Sequence, residues 1–357
     1  TLGAPKLDDL VENAYFKDNM DENASFKDNM DENVSFKDNM DTPNLDGFVE
    51  NIFFKDTLDA TNIESFFGNA IFKDTMDVSN SGILLENVTS PKTRILMYNR
   101  IPKTGSTTLI KILHQLADLN NFHHLHSRDY TNQNMSDADQ QELPKKLVRI
   151  PTKSPFSFDR HFFFFEIQGI EESQNFAWMN FVRDPVERLI SRFYYQRIPQ
   201  RWEKEKYLRD KVRPPVEWFL MQLDDCVPDC LQDLFEGLGV QQITYFCGHH
   251  PNCSVMNSHW ALQQAKQNVE SYYSVVGVLE ELPLSLQVLQ HYLPRFFKDV
   301  TTLQSSQGST HKNENHSKKQ ASESTKSLLK EHIPLDFEFY QYLRQRLYLQ
   351  AQALGIN

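Results

Sequence analysis

Residues 93–111 read TRILMYNRIPKTGSTTLIK, and this stretch decides the fold class. Its first part, TRILMYN (93–99), is short, apolar and rich in β-favouring residues, so it predicts a buried strand. Apolar residues then recur at three- and four-residue steps, which predicts an amphipathic helix; they are Leu109, Ile112, Leu113, Leu116 and Leu119. The order strand, short loop, helix is typical of an open α/β sheet.

The loop between these two elements has the composition of an anion site. A helix N-terminus offers free N–H groups and the positive end of a dipole. Lys103 adds a charge, Gly105 lets the backbone come close, and the next three residues, Ser106, Thr107 and Thr108, add hydroxyls. A nucleotide triphosphatase loop would instead need two glycines with the lysine after the second. An ordinary turn capped by Ser or Thr remains the alternative.

A second unit of the same kind follows at FAWMNFVRDPVERLISRFYYQR (176–197). An apolar strand ends at Arg183, and a helix opens with Asp184 as N-cap and Pro185 at its first position. Arg183 therefore stands at the carboxyl end of a strand, where open α/β sheets bind ligands. Ser191 lies two turns into the helix and could face the same anion. The alternative for Arg183 is a surface ion pair of little energetic weight.

The two units resemble the sulfotransferases, in which a Pro-Lys-Thr-Gly-Ser loop and a later Arg…Ser element bind the two ends of the donor. Here these are IPKTGST (101–107) and RDPVERLIS (183–191). YFCGHHPNC (245–253), WALQQAKQNV (260–269) and VGVLEELPLSLQVLQHYLPRFFK (276–298) extend the resemblance to the uronyl 2-O-sulfotransferases of glycosaminoglycan synthesis. Within them the chondroitin/dermatan branch is more similar than the heparan sulfate branch.

This resemblance implies a P-loop-like sulfotransferase fold over residues 91–357, with a central parallel sheet flanked by helices. The implied donor is 3′-phosphoadenosine 5′-phosphosulfate, with no metal. Lys103 would stabilise charge on the leaving oxygen. The implied donor contacts are Lys103, Thr104, Gly105, Ser106, Thr107, Arg183, Ser191 and, from a basic loop at 307–319, Thr310, Asn315 and Lys318.

The resemblance also implies that His161, in FDRHFFFFEI (158–167), is the catalytic base and stands just before a strand. An ordinary histidine titrates near neutrality, as a general base should. The heparan enzyme has His-Gly-His at this point, whereas Asp159 replaces the first histidine here. An Arg-His pair is typical of the chondroitin/dermatan branch. Read without the resemblance, a histidine beside four phenylalanines predicts a packed core residue.

Acceptor binding is predicted from basic side chains, because the implied acceptor is a polyanion. His126 aligns with a histidine on the substrate side of the heparan enzyme. The basic candidates are Arg100, Arg197, Arg201, Arg209, Lys211 and Arg213. A merely solvated basic face is the alternative. The predicted partner is a glycosaminoglycan, and no binding to nucleic acid is predicted. A homo-oligomer is an open alternative.

The acidity of the chain belongs to its N-terminal segment. Residues 1–90 hold 19 acidic and 6 basic residues, against 29 acidic and 31 basic in the remainder. ENAYFKDNMD, ENASFKDNMD and ENVSFKDNMD follow one another, which predicts a low-complexity acidic repeat, disordered as a stalk. A partner-binding array is the alternative. The sequence has no apolar run of about 18 residues, but the family is anchored in the Golgi membrane, so we expect such an anchor in the full-length protein and a luminal location.

Cysteine spacing agrees with that compartment. The four cysteines form two close pairs, Cys226 with Cys230 and Cys247 with Cys253. The resemblance implies that each pair is a disulfide, which suits an oxidising lumen; a zinc site is the alternative. Asn-x-Ser/Thr sequons, which fit a glycoprotein, start at Asn23, Asn33, Asn87, Asn134, Asn252 and Asn315.

Overall fold

The computed structural model describes residues 93–127, 133–204, 212–235, 240–307 and 320–356. The acidic repeat segment and the loop that carries Thr310, Asn315 and Lys318 lie outside these residues, as do Arg209 and Lys211. The predictions made for them therefore stay predictions.

A five-stranded sheet forms the centre of the described chain. Its strands are β1 Ile95–Asn99, β2 His123–His126, β3 Phe156–Arg160, β4 Phe176–Val182 and β5 Tyr273–Val278. They pair in the order β2-β3-β1-β4-β5, and every pairing is parallel. Because all strands run the same way, their carboxyl ends meet at one edge, with β1 in the middle. This confirms the predicted central parallel sheet.

Helices flank the sheet, as predicted. They are α1 Ser106–Asn120, α2 Asp137–Val148, α3 Pro185–Gln196, α4 Pro199–Lys204, α5 Val216–Leu220, α6 Leu223–Cys226, α7 Leu231–Phe235, α8 Gln242–Cys247, α9 His259–Tyr272, α10 Leu282–Tyr292, α11 Pro294–Phe297, α12 Val300–Gln307, α13 Glu323–His332 and α14 Pro334–Ala353. α1 packs against β2 and α11, and α10 and α14 pack against β5. A described helix long and apolar enough to cross a bilayer is not found.

The two strand-loop-helix units form as the sequence predicts. β4 ends one residue before Arg183, and Asp184 caps α3 by accepting a hydrogen bond from the Glu187 N–H at 3.0 Å. In α1, Leu109, Leu113 and Leu116 are buried, as expected. Leu119, in the last turn of the helix, is instead exposed.

The expectation that His161 stands before a strand is wrong. The strand is β3, which ends at Arg160, so His161 follows it. The four phenylalanines after His161 are buried but irregular: the Phe163 N–H donates to Gln133 O, and the Phe164 N–H donates to Tyr245 O. Residues 156–160 already pair with β1 and β2, so the more apolar stretch supplies core side chains instead of a strand.

A buried polar network fixes the carboxyl end of β1. The Asn180 Nδ2 donates to the backbone O of Asn99 at 2.7 Å, and the Tyr273 hydroxyl donates to Asn99 Oδ1 at 3.0 Å. The Asn99 Nδ2 in turn donates to Tyr245 O at 3.0 Å. Satisfied networks of this kind specify one arrangement of a core. Here the network holds the residue that immediately precedes the loop.

Both expected disulfides are present, which confirms the pairing. Cys226 is bonded to Cys230 and Cys247 to Cys253, with Cα atoms 5.4 and 5.5 Å apart. With all four thiols in disulfides, the zinc alternative has no thiolate ligands.

Candidate active site

Four of the predicted site residues lie at the carboxyl edge of the sheet. His126 ends β2, Arg100 follows β1, His161 follows β3 and Arg183 follows β4. In space, β2 and β3 lie on one side of β1, and β4 lies on the other. The loop after β1 therefore lies between a side that carries His126 and His161 and a side that carries Arg183. This is the place where open α/β sheets bind ligands.

The loop itself has a backbone shaped for close approach. Lys103 and Gly105 both have left-handed φ angles, 71° and 82°. The φ angle of Gly105 favours glycine, and a Cβ there would lie 2.6 Å from Leu279 Cδ1, so the leucine side chain would also have to move. Thr104 is buried and its hydroxyl donates to Ile101 O at 2.9 Å, which pins the turn. Left-handed non-glycine residues such as Lys103 cluster at functional sites.

Helix α1 begins directly after this turn, at Ser106. Gly105 is its N-cap and supplies no side-chain cap, so the first N–H groups of the helix point into the loop. Ser106 is half-buried and Thr107 is exposed. The alternative of a turn capped by a Ser or Thr side chain is therefore wrong.

The Lys103 ammonium lies over an aromatic ring. Its Nζ is 3.6 Å from the centroid of the Tyr195 ring, and the Arg201 guanidinium carbon is 3.7 Å from the same centroid. Cation–π contacts of this kind contribute roughly 0.5–1 kcal/mol at exposed sites. One side chain of α3 thus holds two of the predicted site cations, one from the loop and one from α4.

Arg183 is fixed by its backbone and directed at the loop by its side chain. The Gln242 amide holds the backbone twice: the Arg183 N–H donates to Gln242 Oε1 at 3.0 Å, and Gln242 Nε2 donates to Arg183 O at 2.8 Å. The Arg183 Nη1 donates to Lys103 O at 3.4 Å. Glu280 Oε1 is 3.9 Å from its Nε, and within the described chain that buried Nε makes no hydrogen bond. Ser191 lies further along α3 and is half-buried.

His161 is buried and hydrogen-bonded to the backbone of Arg100. Its Nδ1 is 2.8 Å from the backbone O of Arg100, so Nδ1 carries the proton and donates, and the lone pair is on Nε2. Burial lowers the pKa of His161 to about 3, and the nearby positive charge of Arg100 lowers it further. The expected titration near neutrality is therefore corrected: the imidazole is neutral throughout the physiological pH range.

A cluster that sequence reasoning missed lies next to His161. Asp159 is fully buried, and its carboxylate contacts Arg100, His124 and His126. The only sequence signal was the alternation His124-x-His126, which places both histidines on one face of β2. Gln242, Glu280 and Tyr195 were also missed, because they reach the site from separate elements.

The predicted acceptor arginines differ in exposure. Arg100 and Arg197 are 2% and 7% exposed. The Arg197 guanidinium stacks 3.5 Å from the Phe193 ring centroid and 4.4 Å from that of Trp218. Arg201 is half-buried and Arg213 is exposed. Contacts of these residues with a polysaccharide remain predictions.

The fold and the loop define a sulfotransferase. The model of the sulfotransferase family matches residues 86–343, and the chain belongs to that family. It is 30% identical over 289 residues to the uronyl 2-sulfotransferase homolog pip of Drosophila melanogaster, an alignment that covers 76% of this chain and 56% of that protein. The chain thus spans little more than half the length of that relative.

Two relatives with another name are equally similar. Heparan sulfate 2-O-sulfotransferase 1 of Xenopus laevis is 31% identical over 264 residues, covering 73% of this chain and 72% of that protein. The protein of the same name from Homo sapiens is 30% identical over 264 residues, which again cover 73% of this chain and 72% of that protein. These identities do not separate a uronyl from a heparan sulfate enzyme.

Proposed function

We propose that this protein transfers a sulfuryl group from 3′-phosphoadenosine 5′-phosphosulfate to the 2-hydroxyl of a uronic acid in a glycosaminoglycan. The observation that carries the proposal is the meeting of three groups at one sheet edge. The first is the loop before α1, in which Lys103 and Gly105 have left-handed φ angles. The others are the Arg183 side chain, which donates to the backbone of that loop, and His161, whose lone pair is on Nε2.

The residues present fit the donor. The loop N–H groups and Lys103 suit the 5′-phosphosulfate, since a helix N-terminus attracts anions. The Arg183 Nε, buried without a hydrogen bond in the described chain, suits the 3′-phosphate, as does Ser191 on the helix that follows Arg183. When bound, the donor supplies the sulfuryl group and a phosphate leaving group.

The chain's own groups divide the chemistry between the two sides of β1. On the acceptor side, His161 Nε2 takes the proton of the sugar hydroxyl as the new oxygen–sulfur bond forms. On the donor side, Lys103 and the loop N–H groups stabilise the charge that develops on the phosphate oxygen as its bond to sulfur breaks. Burial keeps His161 neutral, so its Nε2 lone pair is present at physiological pH, although the lowered pKa makes it a weaker base than an ordinary imidazole.

For the acceptor we propose chondroitin or dermatan sulfate. The support is the Arg160–His161 pair, which stands where that branch carries Arg-His. Heparan sulfate is the second candidate, supported by the relatives of that name at 30–31% identity. We also propose a Golgi-luminal location and a membrane anchor in the full-length protein; the two disulfides support an oxidising compartment.

A transfer assay tests the proposal. Radiolabelled donor is incubated with desulfated heparan, chondroitin and dermatan, and the products are digested and analysed as disaccharides. We expect label on the 2-position of uronic acid, mostly in chondroitin or dermatan. Binding of 3′-phosphoadenosine 5′-phosphate is measured by calorimetry on the same preparation. A protein that binds polysaccharide but neither nucleotide nor label would be a lectin-like relative and would contradict the proposal.

A further inference from the structure

The buried carboxylate of Asp159 joins three elements behind the acceptor side. Its Oδ1 is 2.5 Å from Arg100 Nε, after β1, and 3.0 Å from His126 Nδ1, at the end of β2. Its Oδ2 is 3.0 Å from His124 Nε2. His124 Nδ1 is itself 2.7 Å from Ser157 Oγ, and Ser157 lies two residues before Asp159 on β3. None of these contacts has a role in the mechanism above.

We propose that Asp159 is the positioning residue of the acceptor side, holding His126 directly and His161 through Arg100; this rests on the proposed function. The link to His161 is short. Asp159 fixes the Arg100 side chain, and the backbone O of the same Arg100 accepts the His161 Nδ1 hydrogen bond at 2.8 Å. If release of the Arg100 side chain shifts the Arg100 backbone, the direction of His161 Nε2 changes with it.

The link to His126 sets which nitrogen can act. Because Nδ1 of His126 donates to the carboxylate, its lone pair is on Nε2. The His126 side chain is 25% exposed, in contrast to the fully buried Asp159. A carboxylate that orients an imidazole in this way is a recurring device in acid–base catalysis. We therefore expect His126 Nε2 to accept a hydrogen bond from an acceptor sugar.

The charge of Asp159 is maintained by its neighbours. Burial alone would raise the pKa of Asp159, but the contacts of His124 and His126 and the charge of Arg100 outweigh burial and hold that pKa well below its usual range. The other titratable groups that sense this carboxylate are Tyr98 on β1 and His161. Asp159 is therefore ionised wherever the enzyme works.

A metal ion is the rival occupant of this cluster. His124, His126 and Asp159 bring their ligand atoms within 4.8 Å of one another. However, Arg100 Nε lies 2.5 Å from the same carboxylate, so a cation here would meet a guanidinium in a buried site. The Arg100 contact favours an ion-paired carboxylate, hydrogen-bonded by His126, over a metal centre.

The first variant, Asp159→Asn, keeps the shape and removes the charge. We expect kcat to fall roughly 10²-fold or more, while the affinity for 3′-phosphoadenosine 5′-phosphate stays within about twofold. The acidic limb of kcat/KM should also move to lower pH, because the Asp159 charge raises the pKa of His161. The matched control is Asp336→Asn, another buried aspartate that accepts from the Ile243 N–H; it should keep the parent pH profile.

A second variant covers the case in which Asp159→Asn does not fold. The unpaired Arg100 guanidinium would then be the cause, so Arg100→Gln/Asp159→Asn should recover the melting temperature. We expect its kcat to stay low. Recovery of both stability and turnover, or an unchanged kcat and pH profile in Asp159→Asn, would overturn the inference.

Two further readouts separate the remaining outcomes. Metal analysis of the parent that finds one equivalent of zinc, with activity lost on chelation, would also overturn the inference. The parent is assayed in parallel: a parent that transfers no sulfate contradicts the proposed function, whereas an active parent with an equally active Asp159→Asn contradicts only the positioning role.

Discussion

At the residue scale, the site depends on where each side chain is held more than on which side chains are present. The chain has 12 histidines and 37 lysines and arginines, and most could be solvated surface. What distinguishes Lys103 is a left-handed backbone and a ring beneath its ammonium. What distinguishes His161 is a hydrogen bond to the backbone O of Arg100, which fixes its tautomer. These positions give separate expectations for single substitutions.

Lys103→Ala should lower kcat by about 10²-fold or more, since a preorganised cation that stabilises developing charge typically contributes that much. The affinity for donor should fall less, because the loop N–H groups remain. Steady-state kinetics and calorimetry with 3′-phosphoadenosine 5′-phosphate check this. Lys145→Ala, which removes an exposed lysine paired with Glu142 on α2, is the control and should match the parent. A loss of affinity larger than the loss of kcat would assign Lys103 to ground-state binding.

Arg183→Ala should show the reverse pattern. Its proposed partner, the 3′-phosphate, carries the same charge before and during transfer, so the interaction is uniform. We expect a donor dissociation constant raised about 10-fold or more, by analogy with other charge-assisted hydrogen bonds, and a kcat within a few-fold of the parent. A kcat loss equal to that of Lys103→Ala would remove the division of roles between the two residues.

At the element scale, sequence pattern predicted the parts whose signals are local. The apolar runs of β1 and β4, the N-cap Asp184 and the helix periodicity of α1 all lie within a few residues of one another. β3 was missed because the strand expectation at this point came from the resemblance, which implied a strand after His161, whereas the strand is FSFDR (156–160). The cluster around Asp159 was missed because it depends on the parallel register of His126 with Asp159, a pairing across 33 residues that no local pattern contains.

Gly105→Ala tests the loop as an element. Both the φ of 82° and the 2.6 Å approach to Leu279 oppose a Cβ, so the turn should shift and donor affinity should fall about 10-fold or more. Gly355→Ala is the matched control, because Gly355 has a φ of 68° with nothing within 4 Å of its Cβ position. Gly355→Ala therefore introduces backbone strain without a steric contact. Calorimetry that finds equal donor affinity in Gly105→Ala and the parent would contradict the role given to this turn.

At the scale of the whole molecule, burial of a neutral histidine makes stability depend on pH. The ordinary pKa of 6.5 is lowered to about 3 in folded His161, so below pH 6.5 the unfolded chain binds a proton that the folded chain does not. The free energy of unfolding should therefore decrease as pH falls from 6.5 towards 3, by about 1.4 kcal/mol per pH unit from this group.

His161→Asn isolates that contribution. Urea unfolding of the parent and of this variant between pH 7 and pH 5 should give a shallower slope for the variant. Other histidines, including His249, whose pKa burial also lowers, are present in both proteins and cancel. Equal slopes would mean that His161 is protonated, or solvated, in the folded state.

The same variant tests the central claim, that the donor is held on one side of β1 and the proton is accepted on the other by His161. Asn can place Nδ2 where the imidazole has Nδ1, so the bond to Arg100 O is kept and only Nε2 is lost. His249→Asn is the control, since that histidine contacts Phe163 O outside the proposed site.

The measurement is kcat for sulfate transfer by His161→Asn, on one preparation whose melting temperature and 3′-phosphoadenosine 5′-phosphate affinity are also determined. The account predicts parent-like donor affinity, a melting temperature near that of the parent at pH 7, and a kcat lower by about 10²–10⁴-fold, the usual contribution of a positioned general base. A folded, nucleotide-binding variant that transfers sulfate at close to the parent rate would contradict it.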